Sequence, residues 1–360
     1  MKTTKRVSNF ELLRIIAIFI IILHHYCVHG QQWYETTCIN SVITQTLGYF
    51  GKIGVALFVL ITGYFNCEKN FNLKRLVLLV AETVFYSQLV YWSLYFLSPE
   101  SVANFKLKYV YFPIFHGTYW FISYYFILYL FSPVLNAAIK NFSHKKLSVF
   151  LMVAIFLYSL NPLYIVSDNP TFSMTIIFVI LYFLGAYVKK YDVWDIKIDV
   201  VALSALIIIA AVYAVSGATT AVNQYFYAEL NEFFIIGISF FMLSVCKKIK
   251  PFYNGALNLV AKTAFGVYLI HDNILLRDFL WVKLLKCPEY ATKSTGTLIL
   301  HVFLSCVIVF AVCCAVDLVR IYLLEKPFDK LLTFISGKYR SSSLKQSLDT
   351  LLDKIYDENT

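Results

Sequence analysis

The sequence predicts an all-α, polytopic membrane protein. Hydrophobic residues make up 59% of the 360 positions and charged residues only 14%, whereas a soluble domain carries about 25% charged residues. The apolar residues form long runs, close to the ~20 residues that a helix needs to cross a bilayer. Short clusters of Lys and Arg separate these runs. We therefore assign the net charge of +10 to orientation in the membrane, and we exclude nucleic acid as a partner.

Ten apolar runs are candidate transmembrane helices. They cover residues 9–29, 45–66, 75–97, 119–139, 147–165, 172–188, 199–216, 231–246, 263–284 and 297–324. Basic clusters precede the first run and follow every second run after it, while the alternate loops hold few basic residues. The positive-inside rule then predicts about ten spans with both termini in the cytoplasm, in the plasma membrane.

The end of the chain has a different pattern. In "SSSLKQSLDTLLDKIYDENT" leucine and isoleucine recur at helical spacing behind a run of serines that suits a helix start. We expect residues 1–336 to form the membrane domain and residues 337–360 to form a cytoplasmic amphipathic tail. Such a tail would lie on the bilayer or on a partner protein.

The first run contains ionisable residues on one stripe. Arg14 and His25 are eleven residues apart, which is close to three helical turns and about 16 Å along the axis. Glu11 falls near the same stripe, whereas His24 points about 80° away. A charge in lipid costs at least about 2.5–3.5 kcal/mol, so this stripe should face the bundle interior. The stripe could instead have a purely structural role, with Glu11 and Arg14 forming an ion pair and His25 bonding a backbone carbonyl. The sequence leaves that alternative open.

The ninth run adds further polar groups. The stretch "AFGVYLIHDNILLRDFLW" places Tyr268, His271, Asp272 and Arg277 among apolar residues. Together with the first run it predicts a polar cavity inside the bundle, which suits a transporter as well as an enzyme. A transporter or flippase for a polar or lipid-linked solute is therefore one alternative, and a structural subunit of a polysaccharide-export complex is another. Against a transporter, we find no Gly- or Pro-broken helices in matching halves.

Several short motifs follow one another along most of the chain. They are Arg14 followed by His25, "LFVLITGYF" from Leu57 to Phe65, "YWFISYYFILYLFSPVLN" from Tyr119 to Asn136, "FGVYLIH" from Phe265 to His271, and "EKPFD" from Glu325 to Asp329. In this order they resemble the acyltransferase 3 family of integral-membrane acyltransferases. Members of that family O-acetylate polysaccharides and other acceptors.

The resemblance implies an O-acetyltransferase. Its donor substrate would be cytoplasmic acetyl-CoA, and its acceptor would be a hydroxyl of a cell-surface or lipid-linked polysaccharide. His25 would be the catalytic base or a transient acyl carrier, assisted by Arg14. A family Arg-x-x-Arg pattern at the third span is replaced here by "NLKRLVLL", so we expect Lys74 and Arg75 to meet the donor phosphates.

The remaining site predictions concern the cavity and the partners. Residues expected to line the cavity or to bind the acceptor are Glu11, Trp120, Tyr268, His271, Asp272 and Glu325. Packing explains Tyr268 and His271 equally well, and helix capping explains Glu325 equally well. We predict no metal site and no bound cofactor. The expected partners are the acceptor glycan, the lipid bilayer and components of glycan export.

Overall fold

The computed structural model describes residues 6–30, 38–160, 170–192, 194–220, 229–230, 232–325 and 327, and every regular element among them is helical. The chain divides into two compact units, residues 1–314 and 315–360. The predicted amphipathic tail, residues 337–360, lies outside the described residues.

Thirteen α-helices occur in the described part of the chain. The first seven are α1 (Ser8–Gly30), α2 (Ile39–Tyr49), α3 (Gly51–Asn66), α4 (Leu73–Leu97), α5 (Leu107–Tyr111), α6 (Trp120–Asn141) and α7 (His144–Ile155). The remaining six are α8 (Pro170–Lys190), α9 (Ile196–Thr220), α10 (Phe233–Lys248), α11 (Gly255–Lys262), α12 (Ala264–His271) and α13 (Thr295–Arg320). Short 3₁₀ and π segments complete the set, among them Phe156–Leu160, Asp278–Leu284 and Ile321–Glu325.

Seven segments of the described chain are long and apolar enough to cross a membrane. They are Ser8–Gly30, Ile39–Asn66, Leu73–Leu97, Trp120–Asn141, Ser173–Lys190, Ile196–Thr220 and Thr295–Glu325. The all-α prediction is confirmed, and the protein is a multi-pass membrane protein. The described part of the predicted fifth run is helical, as α7 with its π extension, and the predicted eighth run corresponds to α10, Phe233–Lys248, which with 16 residues is not among the seven candidate spans.

The predicted ninth run does not form one continuous helix. Helix α12 ends at His271, and the chain turns before it resumes in the π segment Asp278–Leu284. The turn has a local cause, because the Asn273 side chain accepts a hydrogen bond from the backbone N–H of Leu275 at 2.9 Å. An asparagine that bonds the backbone two residues ahead replaces helical hydrogen bonds by a turn.

Helix α3 occupies the centre of the first unit and packs against α1, α8 and α10. Its contact with α8 is a backbone contact. A Cβ atom on Gly63 would lie 2.1 Å from the carbonyl oxygen of Tyr182, and one on Gly185 would lie 2.1 Å from that of Leu60. Small residues allow such close approach between transmembrane helices, where dispersion forces drive association. Gly63 belongs to the "LFVLITGYF" motif, so its place in the motif has a packing explanation.

The start of α1 is held by side-chain hydrogen bonds to the segment after α10. Asn9 Nδ2 donates to the carbonyl of Ile249 at 3.0 Å, and Asn9 Oδ1 accepts from the backbone N–H of Phe252 at 3.1 Å. Ser8 Oγ accepts from the backbone N–H of Asn254 at 2.7 Å. These bonds set the depth of α1 in the bundle and therefore the level of Arg14 and His25.

The glycine contact yields a stability prediction. Gly185→Ala and Gly63→Ala should each lower the midpoint of thermal aggregation of detergent-purified protein, because neither neighbouring carbonyl can move away. Overpacking of this kind costs about 1–3 kcal/mol or more. The matched control is Gly255→Ala at the start of α11, where an added Cβ meets no atom within 4 Å. Equal midpoints for all three variants would show that α3 and α8 are not in backbone contact.

Candidate functional site

A cavity of about 330 Å³ lies beside the two histidines of α1, and we call it the histidine cavity. It is lined by Ile21, His24, His25, Val28, His29, Gly51, Lys52, Val55, Trp120 and Arg277. These residues come from α1, α3, the start of α6 and the turn after α12. The structure therefore brings together His25 and Trp120, which the sequence predicted for the site.

His25 belongs to a hydrogen-bonded chain that ends on a backbone carbonyl. His271 Nδ1 lies 2.6 Å from the carbonyl oxygen of Val267, and His271 Nε2 lies 3.0 Å from His25 Nδ1. A carbonyl oxygen can only accept, so the proton of a neutral His271 is on Nδ1 and its Nε2 is an acceptor. His25 must then donate through Nδ1. The remaining nitrogen, His25 Nε2, carries the free lone pair that a base or a nucleophile needs.

A buried carboxylate faces that lone pair. Asp272 Oδ1 lies 3.5 Å from His25 Nε2, too far for a good hydrogen bond while the imidazole is neutral. Arg277 donates to the same oxygen through Nε at 3.0 Å and Nη2 at 2.6 Å. Asp272 is fully buried, and the guanidinium compensates its charge. When His25 Nε2 takes up a proton, the carboxylate is in place to stabilise the imidazolium.

His24 has a different environment although it borders the same cavity. Its Nδ1 lies 2.7 Å from the carbonyl oxygen of Gly48 in α2. Its ring also fills the space beside Gly51, where an added Cβ would lie 2.1 Å from His24 Cγ. His24 therefore ties α1 to the α2–α3 junction, and its polar atom is engaged by the backbone.

Other predicted residues stand behind the cavity wall. His271 and Asp272 contact His25 but do not line the histidine cavity. Tyr268 is buried, with its ring centroid 5.6 Å from that of Phe121 and 6.3 Å from that of His271. Tyr268 does not line the histidine cavity, and its role at the acceptor stays a prediction.

Two cavity residues were missed in the sequence. His29 lies one turn beyond His25 on the same face of α1, with ring centroids 5.2 Å apart. Its spacing of four residues from His25 was a usable signal. Lys52 comes from α3, and its Nζ lies 4.6 Å from the ring centroid of Trp120. No sequence pattern links Lys52 to α6, so only the tertiary structure places it.

His25, His29 and Asp272 each place one ligand atom within 4.8 Å of the others, a spacing that suits a divalent cation. The charges around them do not suit one. Arg277 already occupies Asp272 Oδ1, and Lys52 adds a second positive charge to the cavity wall. Because these cations repel a metal ion, the cluster fits proton transfer better than metal binding.

A second and larger cavity, of about 870 Å³, surrounds Arg14, and we call it the basic cavity. Five basic side chains and one acidic side chain line it, together with apolar and aromatic residues. The charged residues are Arg6, Glu11, Arg14, Lys69, Arg75 and Lys189. Glu11 Oε1 accepts from Arg6 Nε at 2.6 Å and also from Arg14. One carboxylate cannot balance five cations, so the cavity carries a net positive charge.

Only one of the two residues that the sequence predicted to bind the donor lines the basic cavity. Arg75 lines the basic cavity, but its neighbour Lys74 does not. Lys69, in the turn between α3 and α4, lines it although the sequence did not single this residue out. Partial burial, followed by the nearby charge of Arg75, lowers the pKa of Lys69. Both causes disfavour the charged form of the ammonium group.

The two cavities lie along the same three helices. On α1 His25 borders one cavity and Arg14 the other. On α3 the corresponding residues are Val55 and Thr62, and on α6 they are Trp120 and Tyr125. The two cavities are therefore stacked along the bundle.

An aromatic layer separates them. The ring of Phe58 on α3 lies 6.4 Å from that of Phe121 on α6, which in turn contacts Tyr268. Phe58 falls between the two cavities along α3, and Phe121 falls between them along α6. These rings therefore stand between the two cavities along both helices.

Glu325 belongs to the second unit of the chain. There its Oε2 lies 3.5 Å from Arg320 Nη1, and Arg320 also donates to Asp317 at 2.6 Å through Nε. Glu325 thus takes part in a local charge cluster at the end of α13 and the π segment that follows it.

The fold and these cavities define a multi-pass helical membrane protein with an ionisable, histidine-lined interior. A family model described as an acyltransferase domain, acyltransferase 3, matches residues 7–318. The chain therefore belongs to the acyltransferase 3 family, as its motifs predicted. The match covers both cavities. Comparison with curated proteins and with solved structures gave no match.

The different environments of the adjacent histidines generate a prediction. His25→Ala should lower the rate of acyl transfer by about 10²–10⁴-fold, the usual contribution of a positioned general base. His24→Ala should lower thermal stability, because the bond to Gly48 is lost, while the folded fraction keeps much of its activity. Turnover per folded molecule and thermal midpoints of purified protein measure the two effects. Equal loss of turnover in both variants would contradict the assignment.

Proposed function

We propose that the protein transfers an acetyl group from cytoplasmic acetyl-CoA to a hydroxyl of a cell-surface or lipid-linked polysaccharide. One observation carries the proposal, namely that a strongly basic cavity and a histidine cavity are stacked on the same helices of an acyltransferase 3 protein. The first suits a polyanionic donor, and the second suits proton transfer from a hydroxyl. The membrane concerned is the plasma membrane.

The basic cavity supports the donor side of the proposal. Coenzyme A carries several phosphate charges, and guanidinium and ammonium groups bind phosphate through charge-assisted hydrogen bonds. Arg14 is paired with Glu11, whereas Lys69, Arg75 and Lys189 form no ion pair with another lining residue in the part of the chain that the structure describes. Phosphates bound there would leave the phosphopantetheine arm free to extend along the bundle.

The arm must reach His25 for the chemistry to occur. Arg14 and His25 are about 16 Å apart along α1, and the aromatic layer of Phe58 and Phe121 lies between their cavities. We infer that the arm passes between these rings and presents the thioester carbonyl to the histidine cavity. The polysaccharide would approach that cavity from the opposite side of the membrane.

His25 Nε2 is the proposed base. It removes the proton of the acceptor hydroxyl as the oxygen attacks the thioester carbonyl carbon, the C–S bond breaks, and the thiolate of CoA leaves. The proton then passes from the imidazolium to the thiolate. His271 holds the tautomer that leaves Nε2 unprotonated, and Asp272 stabilises the imidazolium. If the acetyl group is instead carried transiently by His25, the same lone pair accepts it.

A direct test uses cells with and without the gene and the purified protein. The gene should add O-acetyl signals to the NMR spectrum of the surface glycan, and purified protein should release free CoA from acetyl-CoA when acceptor is present. A transporter or an export subunit would do neither.

The basic cavity generates a prediction about donor affinity. Changing Lys69 and Arg75 together to Gln should raise the apparent KM for acetyl-CoA about ten- to a hundred-fold, with little change in kcat. Each contact to a charged group contributes about 1.5–3 kcal/mol, and exposure to water moves the sum to the lower end.

The matched control is Lys74→Gln, which removes a positive charge beside Arg75 but outside the basic cavity. Its KM for acetyl-CoA should stay close to that of the parent protein. If Lys74→Gln raises the KM as much as the double variant does, the charges act only through membrane orientation.

The orientation of the proposal is testable by labelling. Cys38 is exposed and the other seven cysteines are buried, and no disulfide joins any of these eight described residues. A membrane-impermeant maleimide should label Cys38 in intact cells, because basic residues avoid the loop after the first span. In a Cys38→Ser background, a cysteine placed at the exposed Asn141, beside Lys140, should react only after permeabilisation. The reverse pattern would place the basic cavity outside and refute the donor assignment.

A further inference from the structure

The charged side chains on the wall of the histidine cavity are all basic. Its ten lining residues include Lys52 and Arg277 and no acidic residue. Arg277 is compensated by Asp272 at 2.6 Å. Lys52 forms no ion pair with any carboxylate of the described residues. Its ammonium group lies instead over the ring of Trp120, 4.6 Å from the centroid.

A lysine in this position is costly to maintain. Lys52 is the second residue of α3 and lies near the middle of the candidate span Ile39–Asn66, where a cation is unfavourable and ionisable residues usually mark a binding or transport path. The aromatic ring of Trp120 offsets only a part of that cost. Asp272 Oδ1 accepts two N–H groups of Arg277, and neither Asp272 nor any other carboxylate of the described residues lies within ion-pair distance of Lys52. A lysine on the cavity wall without such a direct partner indicates an anionic ligand.

The size of the cavity limits where the anion can be. A volume of about 330 Å³ is at the lower end of ligand pockets, and it holds about one sugar unit. Lys52 and His25 line the same space. A group bound by Lys52 must therefore belong to the sugar that presents its hydroxyl to His25, or to the linkage next to it.

We propose that the acceptor sugar carries an oxyanion, a carboxylate or a phosphate, beside the hydroxyl that is acylated, and that Lys52 binds it. The inference rests on the proposed function, since it names the acceptor class of the same site. The ammonium group then exchanges its aromatic contact for a charge-assisted hydrogen bond, and the face of Trp120 becomes available to the sugar ring.

A competing role for Lys52 is stabilisation of negative charge that develops on the thioester oxygen during transfer. The two roles predict different dependence on the charge of the acceptor sugar. A lysine that binds the acceptor distinguishes anionic from neutral sugars before any reaction, whereas a lysine that acts only in the transition state affects turnover alike for every acceptor.

The first experiment measures binding of three small probes to the full-length protein in nanodiscs by saturation-transfer NMR. The probes are methyl β-D-glucuronide, glucose 1-phosphate and methyl β-D-glucoside, and they separate carboxylate, phosphate and neutral ligands. At least one anionic probe should bind about ten-fold or more tightly than the glucoside, since hydrogen bonds to charged groups change affinity by one to two orders of magnitude. Which anionic probe binds better identifies the source of the oxyanion.

Three variants make the binding result specific. Lys52→Met should remove the preference for the anionic probe, and Lys52→Arg should retain it. Lys293→Met is the control, because Lys293 is an exposed lysine outside the cavity. Equal binding of all probes, no binding of any probe, or a preference that survives in Lys52→Met would overturn the proposal.

The second experiment locates the acetyl group on the native glycan by NMR. The acetylated sugar, or the linkage beside it, should bear a carboxylate or a phosphate. An acetyl group on a sugar with neither would overturn this inference and leave the proposed acetyl transfer standing. A glycan that does not change when the gene is removed would instead refute the proposed function itself.

Discussion

The ion pair of Asp272 and Arg277 is the interaction on which the rest of the site depends. A carboxylate with no exposed surface is tolerated inside a helical bundle only with a cation beside it. That pair forms because α12 ends at His271, so the following turn returns Arg277 to Asp272. The same turn brings His271 against His25. The end of α12 at His271 therefore places the Asp272–Arg277 ion pair beside His25, fixes the tautomer of His25 through His271, and contributes Arg277 to the wall of the histidine cavity.

The two cavities differ in the side chains that line them. The basic cavity concentrates cations around Arg14, whereas the histidine cavity holds three imidazoles, Lys52 and Arg277. Aromatic rings lie between the cavities along α3 and α6. In the proposed reaction these rings would limit the access of water to the thioester, which matters because hydrolysis is the competing reaction.

The sequence by itself determined the class of the protein and much of the stripe on α1. Composition and run length predicted a helical membrane protein, and helical periodicity put Arg14 and His25 on one face. The order of short motifs identified the family. These features can be predicted from one segment at a time. A membrane span depends on the hydrophobicity of its own residues, and a polar stripe depends only on residue spacing within one helix. Periodicity also implied His29, four residues after His25, although it was overlooked.

Only the tertiary structure decided what surrounds that stripe. Lys52, Lys69 and Lys189 lie on different helices and loops, and no periodicity relates them to α1. The separation of Arg75 from Lys74 depends on which side of α4 faces the cavity. The break after His271 was hidden because Asp272 and Asn273 sit in an otherwise apolar run. The physical reason is common to all of these features: packing between helices decides which side chains line one cavity, and spacing within a single helix cannot specify it.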